Sequence, residues 1–267
     1  MSAETIQGMR GHMRSIVSMR KIARAMFLTS SAKLRSAQES MEASGNFKEQ
    51  AVEILRLLHP FAEPQQGKTC RIIISGDRGM SGGYNDAVLK NLDTDEDAIF
   101  LPIGIKGYEK IRTAGGKIIT DEIISSEKAS FLKLKMPAEI ICEMIKEKQV
   151  GKVDIIYTAW GRGVCAERII PPINGCINPD TIIFEPRAGA ILDDVLGNLL
   201  AGLIFACVCE AKACEHLSRR IAMDNAQKNA DKMLEDVKIK MNRRRRAAIT
   251  QEIIEAVSGY AAEDGEK

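Results

Sequence analysis

Along the first forty residues the pattern advances by alternating steps of three and four, through Ile6, Met9, Met13, Ile16, Arg20, Ala23, Phe27, Ser30, Leu34, Ala37 and Met41. Nine of these eleven positions are apolar, and that spacing draws one stripe down a helix built to lie along another helix. No glycine or proline interrupts residues 12–44. Ser44-Gly45-Asn46 predicts the end of this helix, and Phe47 to Leu58 predicts a shorter amphipathic helix that stops before Pro60.

Residues 61–190 change period. The runs Cys70–Ile74, Ile99–Ile103, Ile118–Ile124, Val153–Thr158 and Thr181–Phe184 read as buried strands. Helical stretches lie between them at Asp86–Leu92, Gly107–Ala114 and Pro137–Gln149. Strands alternating with helices predict a layered α/β domain. From about Leu192 the helical pattern returns, with no proline and only Gly197 and Gly202 between Ile191 and Val257. A helix from Glu215 to Ala261 would extend about 70 Å, too long to bury without a partner. Its stripe is Met223, Ala226, Ala230, Met233 and Val237, continuing less regularly through Met241, Ile249, Ile253 and Val257. The expected organisation is therefore residues 1–60 and 191–267 as the two arms of an antiparallel coiled coil, with an α/β domain at 61–190.

Composition narrows this picture only slightly. Thirty-eight basic and 36 acidic residues leave +2, which points to no class of partner. Aromatics at 4% and twelve methionines suit long helices. Seven cysteines without a secretory leader predict free thiols. The longest apolar run, Val195 to Cys209, is fifteen residues and carries Asn198, short of the ~20 a spanning helix needs. Charge is placed unevenly, however. Residues 1–41 carry seven basic and two acidic groups, and residues 216–250 carry ten and four. The last seventeen residues carry five acidic groups and one basic. A basic waist on paired helices predicts acidic surroundings.

Three motifs suggest chemistry. Gly79-Met80-Ser81-Gly82-Gly83 contains G-x-S-x-G after a strand, the pattern of a hydrolase elbow. The histidines, His12, His59 and His216, all fall on the expected coil helices or their junction, so no base is expected near Ser81. Nor does any lysine follow Gly82-Gly83 to make a phosphate cradle. Cys207, Cys209, Cys214 and His216 tempt a zinc assignment, but 207 and 209 point about 200° apart on one helix, and buried thiols are expected instead. Arg243-Arg244-Arg245-Arg246 could bind nucleic-acid phosphates, although no aromatic interleaving accompanies it.

The runs RSIVSMRKIARAMFLTSSAKLRSAQ, SGDRGMSGGYN and EHLSRRIAMDNAQKNADKMLEDVKIKMNRRRRAAITQEIIEAV together resemble the gamma subunit of F-type ATP synthase. The resemblance implies a central rotor shaft: an antiparallel two-helix coiled coil from both termini with a Rossmann-like α/β foot domain. It implies no catalytic, cofactor or metal site in this chain, the catalytic sites being those of the beta subunits. The implied partners are the alpha and beta subunits of the catalytic head, the epsilon subunit and the membrane c-ring, with no nucleic acid and no direct insertion into the membrane. The implied place is peripheral, on the cytoplasmic face of a bacterial membrane; a processed organellar protein fits the same pattern.

Individual contacts carry over by position. Ile22-Ala23-Arg24-Ala25-Met26 matches the family's I-T-K-A-M, which places Arg24 and Met26 near the lever loops of the catalytic subunits. Arg245 and Arg246 match an Arg-Gln pair that meets a beta-subunit catch loop, and Thr250 and Glu252 follow in the A-x-I-T-x-E segment. The latter two are expected to pack or hydrogen-bond across to the N-terminal helix. Ala23, Arg24 and Arg246 depart from the family's usual threonine, lysine and glutamine. The resemblance also makes the glycine loop structural rather than nucleophilic, and the absence of a cysteine-bearing insertion predicts no thiol regulation. The competing expectation is a coiled-coil scaffold or nucleic-acid adaptor that uses Arg243–Arg246.

Overall fold

A computed structural model describes residues 6–58, 67–90, 98–172, 185 and 188–264. The elements in chain order are α1 (Ile6–Leu58), β1 (Lys68–Ile74), α2 (Tyr84–Lys90), β2 (Ile99–Ile103) and α3 (Ile105–Thr113), then β3 (Lys117–Ile118), α4 (Phe131–Lys146), β4 (Val150–Ala159), β5 (Gly163–Ile170) and α5 (Ala188–Asp264). They form two compact units, one of Met1–Thr29 with Ile221–Lys267, the other of Ser30–Arg220. Both long helices contribute to both units.

In the first unit the ends of α1 and α5 pack as an antiparallel pair. Met9, Ile16, Ala230, Leu234 and Val237 make its buried seam, flanked by Met13, Val17 and Met241. Ala23 and Met223 are buried as well. At the seam position the pattern gave to Arg20, the guanidinium stays exposed and pairs with Asp231 at 2.7 Å. The C-terminal stripe differs from the expected one by a single residue: Leu234 is 7% exposed and Met233 53%. The step from Ala230 is therefore four, and the methionine belongs to the outer face. Beyond Met241 the apolar residues Ile249, Ile253 and Val257 are exposed, so the expected continuation of the seam is not buried by this chain.

The second unit is a three-layer α/β/α sandwich around a five-stranded sheet of order β3-β2-β1-β4-β5. The first four of these pair in parallel, and β5 closes the edge antiparallel to β4. This is Rossmann-like order for the parallel strands. Alternation along β1 serves two cores, because successive side chains leave opposite faces. Cys70, Ile72 and Ile74 face α4, α5 and Ala51 and Leu55 of α1. Ile73 faces α2 and α3, beside Val88, Phe100 and Ile111. Strands buried on both faces read as continuous apolar runs, which is why the III of β1 was legible.

Several boundaries differ from the sequence reading. The break expected at Ser44-Gly45-Asn46 is absent, and α1 runs through it for 53 residues. The Ser44 hydroxyl bonds back to the Ser40 carbonyl at 2.9 Å, and Phe47 packs so closely on Gly202 that a Cβ there would lie 2.2 Å from its ring. Tertiary packing overrides the weak local preference of one glycine. Similarly, α4 starts at Phe131 and carries Pro137 in its interior, since burying Leu134 and Ala138 holds the turn across the missing donor. The run 118–124 supplies only Ile118, the second of the two residues of β3, and an isolated bridge from Ile124 to Ile103. Strand β5, GVCAERII, was not foreseen because its half-exposed edge lacks a clean alternation. The strand expected at 181–184 and the end of the helix expected at 86–92 lie outside the described residues, as does Pro60.

One exclusion also changes. By length and composition α5 does contain a window apolar enough to cross a membrane. Two thirds of that window is buried inside the protein, where Leu196, Leu199, Leu200, Leu203 and Ile204 pack against the sheet. Its apolarity is accounted for by this core.

Candidate functional site

The glycine loop after β1 is fastened through Gly76, Asp77, Arg78, Ser81, Tyr84 and Asn85. Asp77 accepts hydrogen bonds from the backbone N–H of Ile105 (3.1 Å), Ser126 (3.0 Å) and Glu127 (2.9 Å) and from the Ser125 hydroxyl (2.6 Å). Partial burial pushes its carboxyl upward, but these four donors outweigh burial and hold it below the usual range. Asn85, the second residue of α2, accepts from Gly76 N–H at 2.8 Å and donates to the Arg78 carbonyl at 3.1 Å. Gly76 must be glycine for space, since a Cβ would stand 2.7 Å from Glu215 Oε1. Met80 and Gly82 take the left-handed conformation.

Helix α5 holds the other side of the loop. The Ser218 hydroxyl donates to the Ser81 carbonyl at 2.6 Å, and the Tyr84 hydroxyl to the Ala211 carbonyl at 3.1 Å. Glu215 and Arg219, both buried, form an ion pair on this face. Burial keeps the Glu215 carboxyl above its usual range in spite of Arg219. Ser81 is 1% exposed, and its Oγ has no hydrogen-bond partner among the described residues, so none of them withdraws its proton. His216 lies beside Arg219, with Nδ1 3.5 Å from its guanidinium, and burial together with that charge lowers its pKa to about 4.

A second ionic cluster ties α1 to the sheet edge. Lys48 Nζ bonds to the Tyr157 hydroxyl of β4 and lies 4.7 Å from its ring centroid. It also pairs with Glu167 of β5 at 3.3 Å and Glu210 of α5 at 3.2 Å. Glu210 in turn accepts from the Trp160 N–H at 2.8 Å, and Glu167 accepts from Arg162 at 2.9 Å. Burial opposes the ammonium, yet the groups around it outweigh burial and raise its pKa. A cleft of about 530 Å³ runs beside this cluster, walled by Met41, Gly45, Val52, Trp160 and Ala206. Lys48, Arg162, Glu167 and Glu210 also line it, but they are engaged with one another.

On the paired helices of the first unit, Arg24, Arg243, Arg244, Arg245 and Arg246 are all exposed, and Met26 is half-buried. None of these arginines has an ion-pair partner among the described residues. The Thr250 hydroxyl donates to the Arg246 carbonyl of its own helix at 2.9 Å. Glu252 is exposed, and neither residue has a hydrogen bond to α1 among the described residues. Thr250 makes instead the short-range bond that a helical threonine always has within reach.

The model of the family described as ATP synthase matches residues 5–262. A protein of Polaromonas naphthalenivorans named ATP synthase gamma chain is 30% identical, over 95% of this chain and 97% of that one. The chain belongs to the ATP synthase gamma chain family. The gamma chain of Psychrobacter arcticus is also 30% identical, over 97% of this chain and 99% of its own. Among solved structures, a chain of the Euglena gracilis mitochondrial ATP synthase rotor superposes with a TM-score of 0.67 at 14% identity, covering 91% of this chain and 98% of that one. A chain from the Euglena OSCP/F1/c-ring structure reaches 0.72 at 16% identity, covering 98% and 96%. These two likenesses concern the fold.

In this gamma-family chain the six described cysteines are free. Cys207, Cys209 and Cys214 are buried along α5, and burial pushes Cys207 and Cys214 up to about 12. Among the described residues no group of histidines, cysteines and carboxylates could hold a metal. Two anchors went unread in the sequence. Asp77 was visible inside D-R-G, but its four donors come from segments 28 to 50 residues away. Lys48 and Glu210 are 162 residues apart and carry no local signal at all.

Proposed function

We propose that this chain is the central rotor-stalk subunit of an F-type ATP synthase, coupling ion-driven rotation of a membrane ring to ATP synthesis or hydrolysis in an alpha-beta catalytic head. The observation that carries this reading is the end-to-end match to gamma chains, 95% of one sequence against 97% of the other, over a chain whose termini pair as helices. In this reading the subunit performs no chemistry itself. Its partners are the alpha and beta subunits around the paired helices, and the epsilon subunit and c-ring at the α/β foot. It sits peripherally, on the cytoplasmic face of the membrane.

The surface supports such surroundings. Arg24 and Arg243–Arg246 are exposed and present unpaired positive charge, which favours acidic loops at short range and tolerates sliding. Ile249, Ile253, Ile254 and Val257 are exposed large apolar residues on one helix, a grouping that in a rotor would lie inside an apolar collar. Arg24, Met26, Arg245, Arg246, Thr250 and Glu252 are the contacts assigned to the head. The test is co-expression of this chain, tagged, with alpha and beta subunits from the same source. One copy recovered per three alpha–beta pairs, with sustained ATPase turnover, is the expected result. Well-folded alpha and beta subunits that leave this chain unbound would overturn it.

A further inference from the structure

We infer that Lys48 is a positioning residue for torque: with Glu167, Tyr157 and Glu210 it forms a cross-brace that fixes α1 and α5 to the sheet edge. The inference rests on the rotor reading and deepens it. Three side chains from three elements meet the Lys48 ammonium of α1: Tyr157 of β4, Glu167 of β5 and Glu210 of α5. Trp160 N–H locks Glu210 onto the β4–β5 turn, which triangulates the arrangement.

The geometry suits torque rather than mere cohesion. Apolar packing is non-directional, so the Leu and Ile contacts between helices and sheet resist separation better than sliding. Charge-assisted hydrogen bonds are directional and short, and they resist shear along the helix axis. Their place matters too. Gly45 lies three residues before Lys48, inside a continuous helix, with nothing within 4 Å of where its Cβ would be. A helix is most compliant at an interior glycine that packs against nothing, and the brace stands less than one turn beyond it. Lys48 and Glu210 are mostly enclosed, so salt screens them far less than exposed pairs.

The experiment compares wild type with Lys48→Met, Glu167→Gln, Glu210→Gln and Glu49→Gln. Glu49 is an exposed neighbour with no ion-pair partner among the described residues, and serves as control. In assembled complexes stalled with a non-hydrolysable ATP analogue, the angular variance of a probe on the foot is recorded. Amide hydrogen exchange of residues 41–52 is followed in the full chain alone. Expected are a variance at least about doubled and exchange at least about tenfold faster for Lys48→Met, as loss of about 1.4 kcal/mol of local stability gives. The two glutamine variants, which keep the lysine, should show smaller changes of the same sign, and Glu49→Gln none. Variance at the wild-type level in Lys48→Met and in both glutamine variants, with a lowered urea midpoint, would reduce the cluster to a stabilising one and overturn the inference. If the wild-type chain itself fails to enter a complex, the rotor reading falls, and exchange still decides whether the brace stiffens α1.

Discussion

A carboxylate that accepts four hydrogen bonds from two distant chain segments, as Asp77 does, is a small structure in itself. Its folded pKa lies below the unfolded value of about 3.9. The stability it contributes is therefore present above that pH and is lost as pH falls through the folded value. Asp77→Asn offers an amide where three backbone N–H groups need an acceptor. It should lower stability at pH 7 by about 1–3 kcal/mol and flatten the acid limb of a urea-unfolding series between pH 5 and 2. Parallel limbs for variant and wild type would contradict this account. Arg245 is the opposite kind of residue, exposed and without an ion-pair partner among the described residues. Arg245→Ala should shift stability by no more than about 0.5 kcal/mol. In the assembled complex ATP-driven ion pumping should fall by about fivefold, the equivalent of one interfacial hydrogen bond of ~1 kcal/mol. Pumping at the wild-type rate would remove Arg245 from the coupling surface. At this scale the sequence was informative where a motif is local, as with the glycines of the loop, and silent where partners are distant, as with Lys48 and Glu210.

At the scale of elements, periodicity placed both long helices, and continuous apolar runs placed β1, β2 and β4, because strands buried on both faces carry no polar alternation. It failed where the decision is tertiary. Gly45 looks like a helix end until Phe47 meets Gly202, and Pro137 looks like a helix start until Leu134 is seen in the core. The seam of α5 is the sharpest instance, because Met233 and Leu234 are adjacent and both apolar. Leu234→Ala should cost about 2–4 kcal/mol, and Met233→Ala less than about 0.5 kcal/mol, both by denaturant unfolding of the full chain. Equal costs would mean that the pair of helices packs in another register. The brace at Lys48 has its own pH window. A raised lysine pKa contributes stability that is lost only as pH rises through it. Glu167, whose burial is outweighed by Lys48 and its hydrogen bonds, is lowered and loses its contribution only in acid. Hydrogen-exchange protection of 41–52 should accordingly be flat across neutral pH.

For the molecule as a whole, both termini and the domain between them match gamma chains in a single order. The rotor reading asks the same chain for stiffness and for an uneven charged surface. The adaptor reading asks only for Arg243–Arg246, and leaves the α/β unit and its fastened glycine loop unexplained. The most direct test of the central claim is single-molecule rotation. The complex of this chain with its alpha and beta subunits is fixed by the head, a probe is attached to the foot at Cys165, and ATP is added. Unidirectional rotation in three steps per turn is the predicted result. A probe that stays still while the alpha and beta subunits hydrolyse ATP would contradict the account.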